Sequence, residues 1–227
     1  MYQTRQSATK KLPIPRKGTK YVARASSHLQ DSIPVVIAIR DILKLAKTNS
    51  EVKKMIVMGS LKINGRKVKD TRESIKLFNI LEAGNSSYSL SILPTGKFTL
   101  KESKEKNSRV VKVQGKKILK NSIEQLNFLD GSNIIYPSKK IKIHDSLVLD
   151  FSNKLIKHIS LNEAKKVFII KGKYKGKEAE MKKIQDKKLI LKTNDKEEIE
   201  LPIQNIIAIW NKFLNQKKLK KKIQWGK

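Results

Sequence analysis

From Leu61 onward the chain alternates apolar and polar residues in short runs, each cut off within a few positions by glycine, asparagine or aspartate. A period of two puts successive side chains on opposite faces, which suits strands and not helices. "LKINGRKV" sets Leu61 and Ile63 on one face ahead of Asn64-Gly65. That dipeptide takes the positive φ angles of a tight hairpin at little cost. "SIKLFNIL" and "SYSLSIL" continue as strands, joined near Gly84-Asn85. From Leu93 to about Asn162, "RVVKVQ", "KKIL", "NIIYP", "KIKI" and "SLVLDF" are further strands, punctuated at Gln114-Gly115, Asp130-Gly131 and His144-Asp145. "NSIEQLNFL" alone admits a helical turn instead. Beyond it, "VFII", "AEMKKI", "KLILKT", "EIELP" and "NIIAIW" make about five short strands, the pattern of a small SH3-like barrel.

Ahead of Leu61 the period changes. In "IPVVIAIRDILKLAKTN", Val35, Val36, Ile39, Ile42, Leu43 and Ala46 recur at helical spacing. One amphipathic helix is expected, with Pro34 in its first turn and Arg40, Lys44 and Lys47 on its polar face. Ser50 is placed to cap a second helix with Glu51 in its first turn, Val52, Met55 and Ile56 as its buried stripe and Gly59 as its stop. The expected fold class is α+β.

Charge decides the kind of partner. Against 20 acidic residues stand 51 basic ones, a net charge of +31. Solubility needs only about 2 to 8, and such self-repulsion is costly unless an anionic partner neutralises it. Nucleic acid, an anionic membrane and an acidic protein are the candidates. There is no cysteine, so disulfides and thiolate metal sites are excluded and an intracellular setting is expected. The longest apolar run, "PVVIAI", is far short of the ~20 residues of a membrane span. "MYQTRQSATKK" has no apolar stretch, so no signal peptide is expected. Only seven of the basic residues are arginine, all in the first half. Lysine is a flexible point charge, whereas arginine carries the fork that reads base edges, so the balance favours binding to phosphate backbone and shape. Both ends are basic. Residues 1–24 hold seven basic residues and no acid, and "LPIPRKGTKY" is expected as an extended arm that includes Arg16, Lys17 and Lys20. Residues 211–227 hold seven lysines and no acid. Scattered aromatics (Tyr2, Tyr21, Trp210, Phe213, Trp225) accompany these ends, a composition that orders on nucleic acid or stays unfolded.

Catalytic patterns are nearly missing. His28, His144 and His158 have no metal-ligand spacing, and there is no GxSxG. "GKYKGKEA" fails the phosphate-loop pattern, because its glycines are four apart and no Ser or Thr follows Lys177. The expectation is no enzyme, no metal, no cofactor and no small-molecule substrate. The basic constellations are stronger. Arg40, Lys44, Lys53, Lys54, Lys62, Arg66 and Lys67 stay outward when the apolar stripes turn inward, as one positive surface. In "KGKYKGK", Gly172 and Gly176 permit close backbone approach, ringed by Lys171, Lys173, Lys175 and Lys177, with Tyr174 at the tip to stack on a base.

"SEVKKMIVMGSLKINGRKV" resembles the alpha-L (S-four-type) RNA-binding module, with its Ser-initiated helix, glycine and Asn-Gly strand turn. "KVFIIKGKYKGKEAEMKKI" resembles the KOW motif. In this order, after "PIPRKGTKY" and "HLQDSIPVVIAIRDILKLA", they resemble the S-four-e proteins of the small ribosomal subunit of archaea and eukaryotes over nearly the whole chain. The resemblance implies a basic N-terminal arm over 1–28, an alpha-L domain over 29–93, a central β domain over 94–163, a KOW SH3-like domain over 164–210 and a basic tail over 211–227. It implies an rRNA-binding constituent of the small subunit that contacts 16S-type rRNA and neighbouring ribosomal proteins, with Lys53, Lys54, Lys62, Asn64, Arg66 and Lys67 toward RNA. "ARASSHLQ" is poorer in proline and glycine than the family's approach to its histidine, and the short chain points to an archaeal member. Two alternatives stay open: a free RNA chaperone or RNA-modification accessory factor, and a transcription elongation factor without the further domain that clamps polymerase.

Overall fold

The computed structural model describes residues 2–103, 107–120, 123–136, 141–185, 188–193 and 197–209. The basic tail, with Trp210, Phe213 and Trp225, lies outside those residues. The fold is mostly β with few helices. Strands β1 (Tyr2–Thr4) and β2 (Tyr21–Ala23) pair antiparallel, so the arm expected to be extended folds back on itself. Arg5 makes this possible: its guanidinium donates to the carbonyls of Thr19 (2.8 Å) and Pro15 (2.5 Å), and the loop between the strands wraps around it. Leu12 and Ala25 anchor the arm in the core.

Strand β3 (Ser32–Pro34) follows, so Pro34 ends a strand rather than opening a helix. Ile37–Ile42 then wind as a π-helix, with Leu43 N donating to Ala38 O at 3.0 Å. This corrects the single amphipathic helix. Residues from Ile33 to Ile39 are all buried, and a segment that is apolar all round has no polar face to offer water. Lys44, at φ 56°, ends the turn. Helix α1 (Asn49–Val57) is capped by Thr48, not Ser50. The Thr48 side chain accepts from Glu51 N (3.2 Å), and Glu51 reaches back to accept from Lys47 N (2.7 Å). These reciprocal bonds satisfy one donor that the helix leaves free and the backbone N–H just ahead of its cap. Gly59, at φ 69°, stops it as expected.

Strands β4 (Leu61–Ile63) and β5 (Arg66–Lys67) form the expected hairpin, with Asn64 at φ 51° and Gly65 at φ 78°. "SIKLFNIL" is not one strand. Phe78, at φ 63°, divides β6 (Ser74–Lys76), which pairs with β3, from β7 (Ile80–Ala83). With β8 (Ser86–Ile92) and β9 (Phe98–Glu102) the first large sheet runs β5-β4-β7-β8-β9.

The central sheet runs β12-β11-β10-β13-β14. Its long strand β10 (Ser108–Ile118) absorbs both "RVVKVQ" and "KKIL". Gln114-Gly115 is a bulge in it and not a turn, because the register with β11 (Glu124–Phe128) shifts there. "NSIEQLNFL" contributes that strand β11, not a helical turn. β12 (Asn133–Tyr136), β13 (Ser146–Asp150) and β14 (Leu155–Ile159) complete the sheet. "KIKI" is no strand over its described residues; Ile141 plugs the core from a loop.

The C-terminal sheet runs β18-β17-β16-β15-β19, from β15 (Lys166–Ile169), β16 (Glu178–Gln185), β17 (Lys188–Thr193), β18 (Glu198–Pro202) and β19 (Ile206–Ala208). The alternation in β15 explains its unbroken apolar run. Val167 and Ile169 enter the core of this sheet, while Phe168 and the following Ile170 enter the core of the N-terminal unit. β19 does the same with Ile206 and Ala208 against Ile207. Strands buried on both faces lose the polar half of their pattern.

Candidate nucleic-acid interface

Two basic groups emerge. The first is built on α1 and the β4–β5 hairpin. Only Val52 of α1 is fully buried, and Lys53 and Lys54 point away from it into solvent. Lys67 lies over Gly59 at the end of α1, which joins the hairpin to the helix surface. Lys62 and Lys67 face each other across the hairpin, a like-charge pairing that costs stability; Glu82 on the other side of Lys62 offsets part of it. Lys44, Lys53, Lys54, Lys62 and Lys67 make no ion pair among the described residues. Arg40 and Lys53 line one cleft of about 440 Å³, together with Asn49 and Arg72, which sequence reasoning did not single out.

The arginines are less free than the lysines. Arg40 forks onto Asp41 (2.8 and 2.9 Å), which raises its pKa further. Arg72 binds Asp70 at 3.1 Å, and Arg66, although exposed, pairs with Glu73. Asn64 serves the fold: its side-chain Oδ1 accepts from Ile80 N at 2.9 Å.

The second group joins the N-terminal arm to the 171–177 loop. Arg16, Lys17 and Lys20 are exposed on the loop that Arg5 holds. Lys171 comes within 4.0 Å of Asp31, which also pairs with Lys11 of the arm. Lys171 and Lys173 are exposed, whereas Lys175 and Lys177 are half-buried. The Lys175 side chain lies against Gly96, and Gly176 against the Leu93 carbonyl, so one side of this loop rests on the N-terminal unit. Tyr174 is half-buried and packs against the C-terminal core, with Lys173 and Lys177 at 5.7 and 5.9 Å from its ring centre.

Sequence reasoning missed Lys112. It is 4% exposed, and its ammonium donates to the carbonyls of Ile203 (2.8 Å) and Gln204 (3.2 Å) and to that of Ile206. It also missed the buried pair of Arg109 and Asp130. Arg109 shares the face of Val111 and Val113 on β10, toward the core of the central sheet, whereas Lys112 lies with Val110 on the opposite face, which meets the neighbouring units. A second buried face is the only signal that a basic residue there turns inward, and one strand's sequence does not carry it.

No helix among the described residues is long and apolar enough to cross a membrane. No group of three or more His, Cys, Asp or Glu residues is placed to hold a metal among the described residues.

The model of the family described as "Ribosomal family S4e" matches residues 84–156. The small ribosomal subunit protein eS4 of Archaeoglobus fulgidus is 31% identical over 181 residues, covering 78% of this chain and 77% of its own. The protein of the same name from Pyrobaculum aerophilum is 33% identical over 176 residues, covering 72% and 74%. The crystal structure of the 30S ribosomal protein S4e from Thermoplasma acidophilum shares the fold, with a TM-score of 0.68 at 21% identity over 79% of this chain and 95% of that one. Relatives at this identity cover more than two thirds of the chain, and the chain belongs to the ribosomal S4e family.

Proposed function

We infer that this chain is a structural constituent of the small ribosomal subunit and binds 16S-type rRNA through its lysine-rich surface. The carrying observation is that relatives named as small-subunit proteins match it over about four-fifths of both chains. The geometry supports the reading. Five lysines of the first basic group make no ion pair among the described residues, and a polyanion is the partner that relieves them.

In this reading residues 29–93 act as an alpha-L module, with β9 completing its sheet, and 164–210 act as a KOW SH3-like module. The two are joined by the central β domain over 94–163 and flanked by the arm over 1–28 and the tail over 211–227. Lys44, Lys53, Lys54, Lys62 and Lys67 contact phosphates, with Arg40, Asn64 and Arg66 beside them. Arg16, Lys17, Lys20, Lys171, Lys173, Tyr174, Lys175 and Lys177 form a second contact. The protein works in the cytoplasm on the ribosome, beside neighbouring small-subunit proteins and without catalysis. Sedimentation of cell extract on a sucrose gradient tests this. The chain should appear by mass spectrometry in salt-washed small subunits at one copy per particle, and its absence from them overturns the reading.

A further inference from the structure

We propose that Tyr2 and Tyr21 form a stacking site for one unpaired nucleobase of RNA, at the edge of the second basic group. The proposal rests on the RNA-binding reading above and adds a base-recognising element to it. Strand register places both rings on one face of the β1–β2 pair: Tyr2 lies opposite Ala23 and Tyr21 opposite Thr4. The other face carries Gln3 and Val22, which are half-buried. Ala23 on the aromatic face packs against the N-terminal core, but both rings stay in water, Tyr2 67% and Tyr21 48% exposed. Two adjoining exposed rings offer a flat aromatic surface on which a base can stack.

The geometry suits a base. The two ring centres are 4.8 Å apart with their planes tilted by 58°, so the rings lean against each other while both stay exposed. Lys20 sits over the Tyr21 ring, 5.5 Å from its centre, so a base that stacks on that face displaces the ammonium toward its own phosphate. The first acid in the chain is Asp31, so nothing on the arm up to that point repels a phosphate. Arg5 fixes the loop that carries Arg16 and Lys17 through three hydrogen bonds to Pro15 and Thr19, so the surroundings are ordered before RNA arrives. Every base has a π-face, so such a site recognises an unstacked nucleotide without strict sequence preference.

The test measures filter binding of the full chain to small-subunit rRNA across a salt series. Tyr2→Ile with Tyr21→Ile keeps strand propensity and apolar area but removes both π-faces; Tyr21→Phe keeps a π-face. The double isoleucine variant should bind about five- to hundred-fold more weakly, with an unchanged salt slope because the same phosphates stay neutralised. Tyr21→Phe should bind as the wild type does. Wild-type affinity in the isoleucine variant overturns the stacking site while leaving the RNA-binding reading intact. Equal weakening in the isoleucine and phenylalanine variants overturns it in favour of a role for the tyrosine hydroxyl. If the wild type itself does not bind, the underlying RNA reading fails. Ultraviolet crosslinking gives an independent readout: a nucleotide adduct on Tyr2 or Tyr21 is expected, and adducts confined to the rest of the chain count against the site.

Discussion

Lys112 donates from its ammonium to the carbonyl oxygen of Ile203, 2.8 Å away and 91 residues on in the chain. The same nitrogen reaches the carbonyls of Gln204 and Ile206. A buried lysine of the central sheet thereby closes the last turn of the C-terminal sheet, where it is the donor that these three acceptors share. Lys112→Met keeps the stem and removes the donors. It should cost about 1–3 kcal/mol, the penalty for taking this donor from the buried Ile206 carbonyl. Urea unfolding measures the change. Faster amide exchange at Ile206–Ala208 than in β4 would place it at the joint.

The same residue predicts a pH dependence. Burial, reinforced by the charge of Lys171, pushes the Lys112 ammonium down to about 8. In the unfolded chain a lysine keeps its proton to about 10.4. Between those values the unfolded chain binds more protons, so this residue's contribution to stability rises with pH there, and below pH 8 the full burial cost is present. The stability difference between wild type and Lys112→Met should therefore widen by about 1 kcal/mol per pH unit above pH 8. A difference that stays flat or narrows contradicts the assignment.

Local devices were legible in the sequence, and joints were not. Asn64-Gly65 and Gly59 need positive φ, and their residue types announce it. The alternations around Leu61 and Leu90 announce their strands in the same way. The helix over 34–46 misled because Val35 to Ile39 are buried all round, and helical spacing within an apolar block carries no face information. The burial of Lys112 was not legible, because strand period assigns a face without saying which faces are covered. The lysines on α1 were legible because Val52 fixes the inward side of that helix.

Charge reversal at Lys53 and Lys67 tests the first basic group. Both are exposed and free of ion pairs among the described residues, so Lys53→Glu with Lys67→Glu should leave the unfolding midpoint nearly unchanged. Arg66 is a poorer target, because Arg66→Glu would set two carboxylates together at Glu73. Binding to small-subunit rRNA should weaken at least tenfold at low salt. The log–log salt slope should become shallower by roughly 0.7–0.9 for each phosphate that the variant no longer neutralises. An unchanged slope removes this surface from the interface.

The Arg109–Asp130 pair tests how the central sheet is held. The two side chains are 7% and 6% exposed, and Arg109 also donates to Asn153 Oδ1 at 3.0 Å. Asp130→Ala leaves a buried guanidinium without its counter-charge and should cost about 3–5 kcal/mol. Arg109→Met in the same chain should recover part of that stability, because an apolar side chain of similar length avoids the desolvation. Unfolding midpoints of the single and double variants check both statements; a double variant less stable than Asp130→Ala refutes the second.

Gly176 sits at φ 82°, and a Cβ there would overlap the Leu93 carbonyl and reach Pro94 N at 2.8 Å. Both obstacles are backbone, so no side chain can swing aside. Gly176→Ala combines a left-handed conformation that alanine resists with a clash that must move the chain, and it should cost about 2 kcal/mol or more. The loop of Lys171, Lys173, Lys175 and Lys177 would separate from the turn at Leu93–Gly96 while the C-terminal core stays packed. Because Lys171 reaches Asp31 from that loop, RNA affinity should fall even though no charge is removed, and the salt slope should decline with it. A variant that is less stable but binds with the wild-type slope would show that the loop's placement is irrelevant to the second basic group.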